Sequence, residues 1–281
     1  MPLHPRLAHM VLQAAELTED LSSLAACLAA LVSERDPLRK NTTGEISADI
    51  RLRLQLLRRP ENKQLREVAE QIHRLSGLES SFTLPGPQAE EFCGMLLSLA
   101  WPERIAQRRG VGSFRLASGQ GAELPAYDPL ASAPWLATAN LGGGVNRRVR
   151  LAAPVALPDL LRLHGEKVRF EEVVCWNSRS EAVVHRSMRR LGALILDEKP
   201  LPASPELDRR IRKALLEGIV SSGLDSLPWT KELRQLQARV IMLRGLERAE
   251  NKRKNAWPDI RDDALIAGLI GTPESTWLSP W

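Results

Sequence analysis

The apolar residues of this 281-residue chain change their spacing twice. Over the first hundred positions they recur every three or four residues. Near Gly110 they break into short runs separated by glycine and serine, and from about Pro202 the longer period returns. A helix buries one face every 3.6 residues and a strand every second residue, so a switch of period requires a switch of architecture. The expected fold class is therefore α+β, with an N-terminal helical bundle over 1–107, a strand-rich middle over 108–200 and a mostly helical region over 201–281.

The first region reads as five helices. Leu3, Leu7, Met10, Val11 and Ala14 form one stripe, and Leu21, Leu24, Leu28, Leu31 and Val32 form another behind Thr18, a candidate N-cap. A polar break over 35–44 precedes a third helix carrying Ile46, Ile50, Leu54 and Leu57. A fourth follows Pro60 with Leu65, Val68, Ile72 and Leu75 and stops at Gly77. A fifth follows Pro87 with Phe92, Met95, Leu96 and Leu99, ending before Pro102. In the middle, strands are expected over 113–116, 122–124, 135–139 and 149–153, with a glycine loop at 141–146 and a brief helix at 157–164. A hairpin over 168–187 and a last strand over 191–196 follow. Short strands around one small helix suit a small β-barrel of the OB type. Beyond it, Leu207, Ile211, Leu215 and Ile219 mark one helix, Leu233 to Leu246 another, and 264–269 a short third. Apolar residues still recur at Leu278 and Trp281, so the last domain reads as truncated.

Composition excludes several classes. The sequence has 39 Lys+Arg but no Gly-Lys dipeptide, so it cannot contain the G-x-x-x-x-G-K-[ST] loop that cradles nucleotide phosphates. Its three cysteines are isolated and lie in apolar stretches, which predicts buried free thiols rather than disulfides or a metal site. No run approaches the ~20 apolar residues of a membrane span, so a cytoplasmic protein with no membrane partner is expected. The net charge of +5 is uneven: residues 101–200 hold 15 basic and 10 acidic side chains, whereas residues 1–100 hold 11 and 13. Only 8 of the basic residues are Lys. Arginine's planar fork matches phosphate geometry, although a general coding bias toward arginine explains the excess equally well.

Four stretches carry a family resemblance: Leu3-His4-Pro5-Arg6-Leu7-Ala8; Ser33-Glu34-Arg35-Asp36-Pro37-Leu38 with 49–54 (DIRLRL); 101–110 (WPERIAQRRG); and 176–202, with WNSRSEAVV and RRLGALILDEKPLP. Together they resemble the C-terminal half of bacterial HrpB-type DEAH-box ATP-dependent helicases. The resemblance implies a helicase-associated ratchet-like helical domain, an OB-like barrel and an HrpB-type C-terminal domain. It also implies a chain without the RecA-like motor, so that ATP and Mg2+ belong to the parent helicase and no cofactor is expected here. Partners would be single-stranded RNA or DNA and a RecA-like motor in cis or trans.

The candidate nucleic-acid-binding residues are arginines of the basic middle. Arg104, Arg108 and Arg109 either line a channel through phosphate contacts or bridge to the acidic helices. Arg147, Arg148 and Arg150 flank the glycine loop, and alternation sets Arg148 and Arg150 opposite Val149 and Leu151. Arg186, Arg189 and Arg190 carry the same ambiguity. Trp135 and Trp176 could stack on bases, with a packing role favoured for Trp176. The neighbouring carboxylates Glu171-Glu172 and Asp197-Glu198 face opposite ways on a strand and do not converge for catalysis. No catalytic or metal residue is expected. The alternative reading is a non-catalytic docking module that packs on a separate helicase motor.

Overall fold

The computed structural model describes residues 3–38, 46–77, 81–144, 146–227, 229–249 and 257–271. Residues 250–256 and the apolar Leu278 and Trp281 lie outside them. The chain divides into two compact units, one formed by 1–169 with 189–197 and the other by 170–188 with 198–281.

In the first unit, helices α1 (Pro5–Leu17), α2 (Glu19–Ser33), α3 (Ile50–Leu57), α4 (Lys63–Leu75) and α5 (Cys93–Ala100) follow the apolar spacing closely. α1 is capped by His4, whose Nδ1 accepts from the Arg6 backbone N–H at 3.3 Å. Thr18 holds the N-cap position of α2 without making a side-chain cap bond. α2 exceeds the expected stripe. Every residue from Leu24 to Ala30 is fully buried, and a helix that is apolar all round belongs in a core rather than on a surface. α3 begins later than its stripe, at Ile50, because Asp49 caps it, accepting from the Arg51 N–H at 3.0 Å.

The motif residues of the first region hold it together. Arg53 is 1% exposed. Its guanidinium donates to both carboxylate oxygens of Asp36 and, through Nη1, to the carbonyls of Ser47 and Asp49. One side chain thus joins the end of the 33–38 motif to the approach to α3.

A five-stranded closed barrel follows, with β1 (Ile105–Gly110), β2 (Ser113–Leu116), β3 (Gly121–Glu123), β4 (Trp135–Leu141) and β5 (Asn146–Pro154) in the order β1-β2-β3-β5-β4. β1 was not among the expected strands. It pairs antiparallel with both β2 and β4, and so closes the barrel. β3 and β5 pair in parallel, Ala122 opposite Arg147. Phe114, Leu116, Ala122, Leu136 and Val149 fill the interior, joined by Ala48 from the helical side. A separate core continues from the helices through Ala137, Leu151 and Ala153 on the barrel's outer wall, so helices and barrel share one apolar body.

After α6 (Leu157–His164), strands β6 (Val168–Asn177), β7 (Ala182–Leu191) and β8 (Leu194–Pro200) form a sheet of their own rather than joining the barrel. In the second unit, α7 (Pro205–Ser222) ends at Gly223 with φ 80°, and α8 (Lys231–Ala249) and α9 (Asp262–Gly271) follow. Gly218 of α7 lets the helix approach the Trp176 indole, which a Cβ would meet at 2.3 Å. Trp176 therefore packs.

Cys27 and Cys93 are buried free thiols, and burial pushes both up to about 12. Cys175 departs from expectation and is exposed, because along β6 its side chain alternates with the half-buried Val174 and Trp176.

Two buried histidines face serines: His73 Nε2 lies 3.0 Å from Ser22 Oγ and His164 Nε2 lies 2.9 Å from Ser98 Oγ. Ser98 already donates to the Met95 carbonyl at 2.7 Å. His164 Nε2–H must therefore be the donor to it, which fixes a neutral tautomer. Burial, with Lys167 adding repulsion, lowers His164 to about 4 from 6.5. The unfolded chain takes up this proton first on acidification, so stability is full above 6.5 and falls as pH drops toward 4. The melting temperature should decline over that window and decline less in His164→Gln. Equal pH slopes for both proteins would refute the assignment.

Candidate nucleic-acid interface

The nine candidate arginines separate by what their guanidiniums already touch. On β7 two are committed to carboxylates: Arg186 binds Glu198 at 2.7 Å and Arg189 binds Asp197 at 2.9 Å. Arg190 is half-buried and is not free either. The carboxylate pair 197–198 thus serves as counter-charge within the sheet.

Two more are tied into the barrel. Arg104 Nη1 donates to the Ala139 carbonyl at 2.9 Å and Arg108 Nη1 to the Ser132 carbonyl at 2.6 Å. These contacts put the two at opposite ends of β1. Arg104 sits beside the end of β4, and Arg108 beside the segment that leads into it, where its N–H donates to the Pro134 carbonyl. Arg109, next to Arg108, is exposed.

The remaining three lie on β5. Val149 points into the barrel and Arg148 and Arg150 are exposed, as the alternation predicts. Leu151 does not follow Val149: the register shifts opposite this part of β5, and Leu151 is buried on the outer wall against the helices. Arg147 has the other parity and lies half-buried at the rim. Among the described residues, Arg109, Arg147, Arg148 and Arg150 have no ion pair or side-chain hydrogen bond.

The rim is where like charges meet. Burial draws Arg104 below the ordinary arginine value, and Arg6 and Arg147 repel it further, with Glu103 the opposing influence. Glu103 contacts both Arg6 and, at 3.8 Å, Arg104, and Arg104 also stacks 5.5 Å from the centre of the Trp101 ring. Two guanidiniums therefore share one carboxylate, with the unpaired charge of Arg147 acting on Arg104 from nearby. An excess of positive charge held in partial burial favours an anion. The arrangement brings Arg104 and Arg147 together and leaves Arg108 and Arg109 at the far end of β1.

Sequence reasoning missed Arg6 and Arg115. Arg6 stands 97 residues from the carboxylate it meets, and no local period reports such a pairing. Arg115 was legible, since in Ser113–Leu116 the alternation that buries Phe114 and Leu116 turns Arg115 outward. It pairs with Gln107 on one side and Gly121 on the other. Trp135 is 8% exposed and packs in the core that the helices share with the barrel wall, so it offers no stacking surface. Among the described residues no cluster of three His, Cys, Asp or Glu side chains could hold a metal, and no helix is long and apolar enough to cross a membrane.

No family model matches the chain. It is 30% identical over 282 aligned positions to the ATP-dependent RNA helicase HrpB of Escherichia coli K12, a match covering 98% of this chain and 31% of that protein. Two solved structures agree. The crystal structure of the E. coli DExH-box NTPase HrpB aligns with a TM-score of 0.58 and 26% identity, over 98% of this chain and 31% of that one. The crystal structure of the Escherichia coli DEAH/RHA helicase HrpB gives 0.55 and 26%, over 95% and 31%. The chain thus spans about a third of the length of the relatives it matches, and along nearly all of its own length it corresponds to the C-terminal portion of HrpB-type helicases.

Proposed function

We propose that the chain is the accessory portion of an HrpB-like ATP-dependent RNA helicase, holding single-stranded nucleic acid on the barrel and coupling it to a RecA-like motor. The observation that carries this reading is the rim, where Arg6 and Arg104 share the carboxylate of Glu103 and Arg147 adds a further positive charge that repels Arg104. Support comes from the strand order β1-β2-β3-β5-β4, which fits an OB-type barrel, a fold whose loops take oligonucleotides. The arginines of β5 follow directly on its glycine loop. With no Gly-Lys in the sequence, ATP and Mg2+ are assigned to the motor, and the site of action to the cytoplasm. Contacts of this kind grip phosphates and carry little sequence preference.

The test is fluorescence anisotropy with labelled single-stranded RNA and DNA at low and moderate salt. Micromolar binding that weakens with salt is expected, because each phosphate contact releases counterions, with a log–log slope of about −0.7 per contact on single strands. Arg147→Ala combined with Arg150→Ala should weaken binding at least about tenfold and flatten the slope. Arg189→Ala, whose charge is spent on Asp197, should leave it unchanged. No binding at low salt would sink the reading.

A further inference from the structure

Two adjoining depressions open on the helical side of the first unit. The first is walled by Leu3, Val11, Leu12, Ile72 and Leu75. The second shares Leu3, Ile72 and Leu75 and adds Val68. They form one groove between α1 and α4. Along α4 the apolar row Leu65, Val68, Ile72, Leu75 begins packed and then runs out into the open: Leu65 is buried, Val68 and Ile72 are half-buried and Leu75 is 68% exposed. Opposite it, Leu12 is 47% exposed although its neighbours Met10 and Val11 are in the core. A helical row that continues its own core into solvent, facing a second exposed leucine across a concave floor, has the form of a docking surface.

The length of the HrpB relative points to what covers it. About two thirds of an HrpB-type helicase lies outside the portion matched here, and that portion is the C-terminal one. In such a helicase the remainder precedes the matched portion, and Leu3, just ahead of α1, lines both depressions. We propose that the α1–α4 groove seats an apolar helical face from the part of an HrpB-type helicase that precedes this portion. The inference rests on the reading that the chain works with a motor and names the surface through which the two are joined. The exposed apolar residues of α8, among them Leu236 and Leu243, are not adjacent in sequence to that junction and are not assigned to it.

The experiment mixes the full chain with the N-terminal two thirds of the E. coli relative as a separate polypeptide and measures association by calorimetry. The wild-type chain should form a complex, and Leu12→Asp and Leu75→Asp should each weaken it at least about tenfold. Leu236→Asp, on α8, should not. Both groove leucines are exposed, so melting temperatures should stay near wild type. Leu75→Ala offers a milder substitution should the aspartate variant melt early. The proposal is overturned by the absence of a wild-type complex, by groove variants that bind as well as wild type, or by loss in the α8 variant instead. It is equally overturned if the groove variants dissolve only a self-association of the chain. RNA anisotropy on the same samples separates the two readings: a lost complex with RNA binding intact refutes the groove alone, and the converse refutes the nucleic-acid reading alone.

Discussion

Gly94→Ala should remove about 3 kcal/mol or more from the stability of the first unit, at or beyond the upper end of the range for overpacked cores. Gly94 lies in α5 where the helix meets the barrel, and a Cβ there would stand 1.9 Å from the Pro154 carbonyl oxygen and 2.6 Å from its carbon. Both are backbone atoms at the end of β5, so no rotamer change can relieve the clash. Either α5 lifts from β4 and β5 or the strand end moves, and both open a core of residues such as Met95, Leu97 and Ala153 that exclude water entirely. Urea unfolding would measure the loss. Gly143→Ala is the neutral comparison, since nothing lies within 4 Å of its added methyl. Gly218→Ala should be intermediate, because the obstacle there is the Trp176 ring, a side chain able to shift. A loss under about 1 kcal/mol for Gly94→Ala would mean that the contact is far looser than described.

Arg53→Ala should cost about 3–5 kcal/mol, comparable to breaking a buried ion pair. The loss arises on one side of the pair. Asp36 is 45% exposed in its side chain and can turn to water, but the carbonyls of Ser47 and Asp49 lose their donor. A stranded buried acceptor costs about 1–3 kcal/mol, and a side-chain cavity adds to it. Arg53→Lys should recover little, since an ammonium cannot span a carboxylate and two carbonyls at once. If alanine and lysine variants both melted like wild type, the clamp would be incidental. RNA binding measured beside stability should fall only where folding falls, because this arginine faces inward.

That outcome bears on how the sequence should be read. Several positions that carry the family resemblance hold the scaffold rather than a ligand: Asp36, Asp49 and Arg53 join to one another, Arg189 and Arg186 to β8, and Trp176 to α7. Helices were legible because their apolar spacing and their Pro and Gly boundaries are local signals; α6 occupies the expected residues 157–164 and α7 stops at Gly223. β1 was not legible. Its sequence, IAQRRG, has two apolar residues side by side and no alternation, and its register slips between Arg108 and Gly110. It is a strand because β2 and β4 supply partners on both sides. The hairpin after α6 was visible as strands, but whether those strands enter the barrel depends on non-local pairing that periodicity cannot express. The same limit applied to the site. Outward-facing Arg148 and Arg150 follow from alternation, whereas the neutralised charges of β7 and the meeting of Arg6 with Glu103 depend on partners in other elements.

The short approach to α3 has a mechanical consequence. Ala48 enters the barrel interior and donates its N–H to Asp128 Oδ2 at 2.8 Å. Its carbonyl accepts from the Ala152 N–H, also at 2.8 Å, and Asp49 bridges to Ala152 while capping α3. The helix is thereby spliced into the strand ladder by its own leading residues, on the side of the shared core formed by α5 against β4 and β5. Helix and barrel are therefore joined through main-chain bonds as well as through side-chain packing, so a force applied to one would reach the other along a continuous backbone rather than across an apolar contact alone.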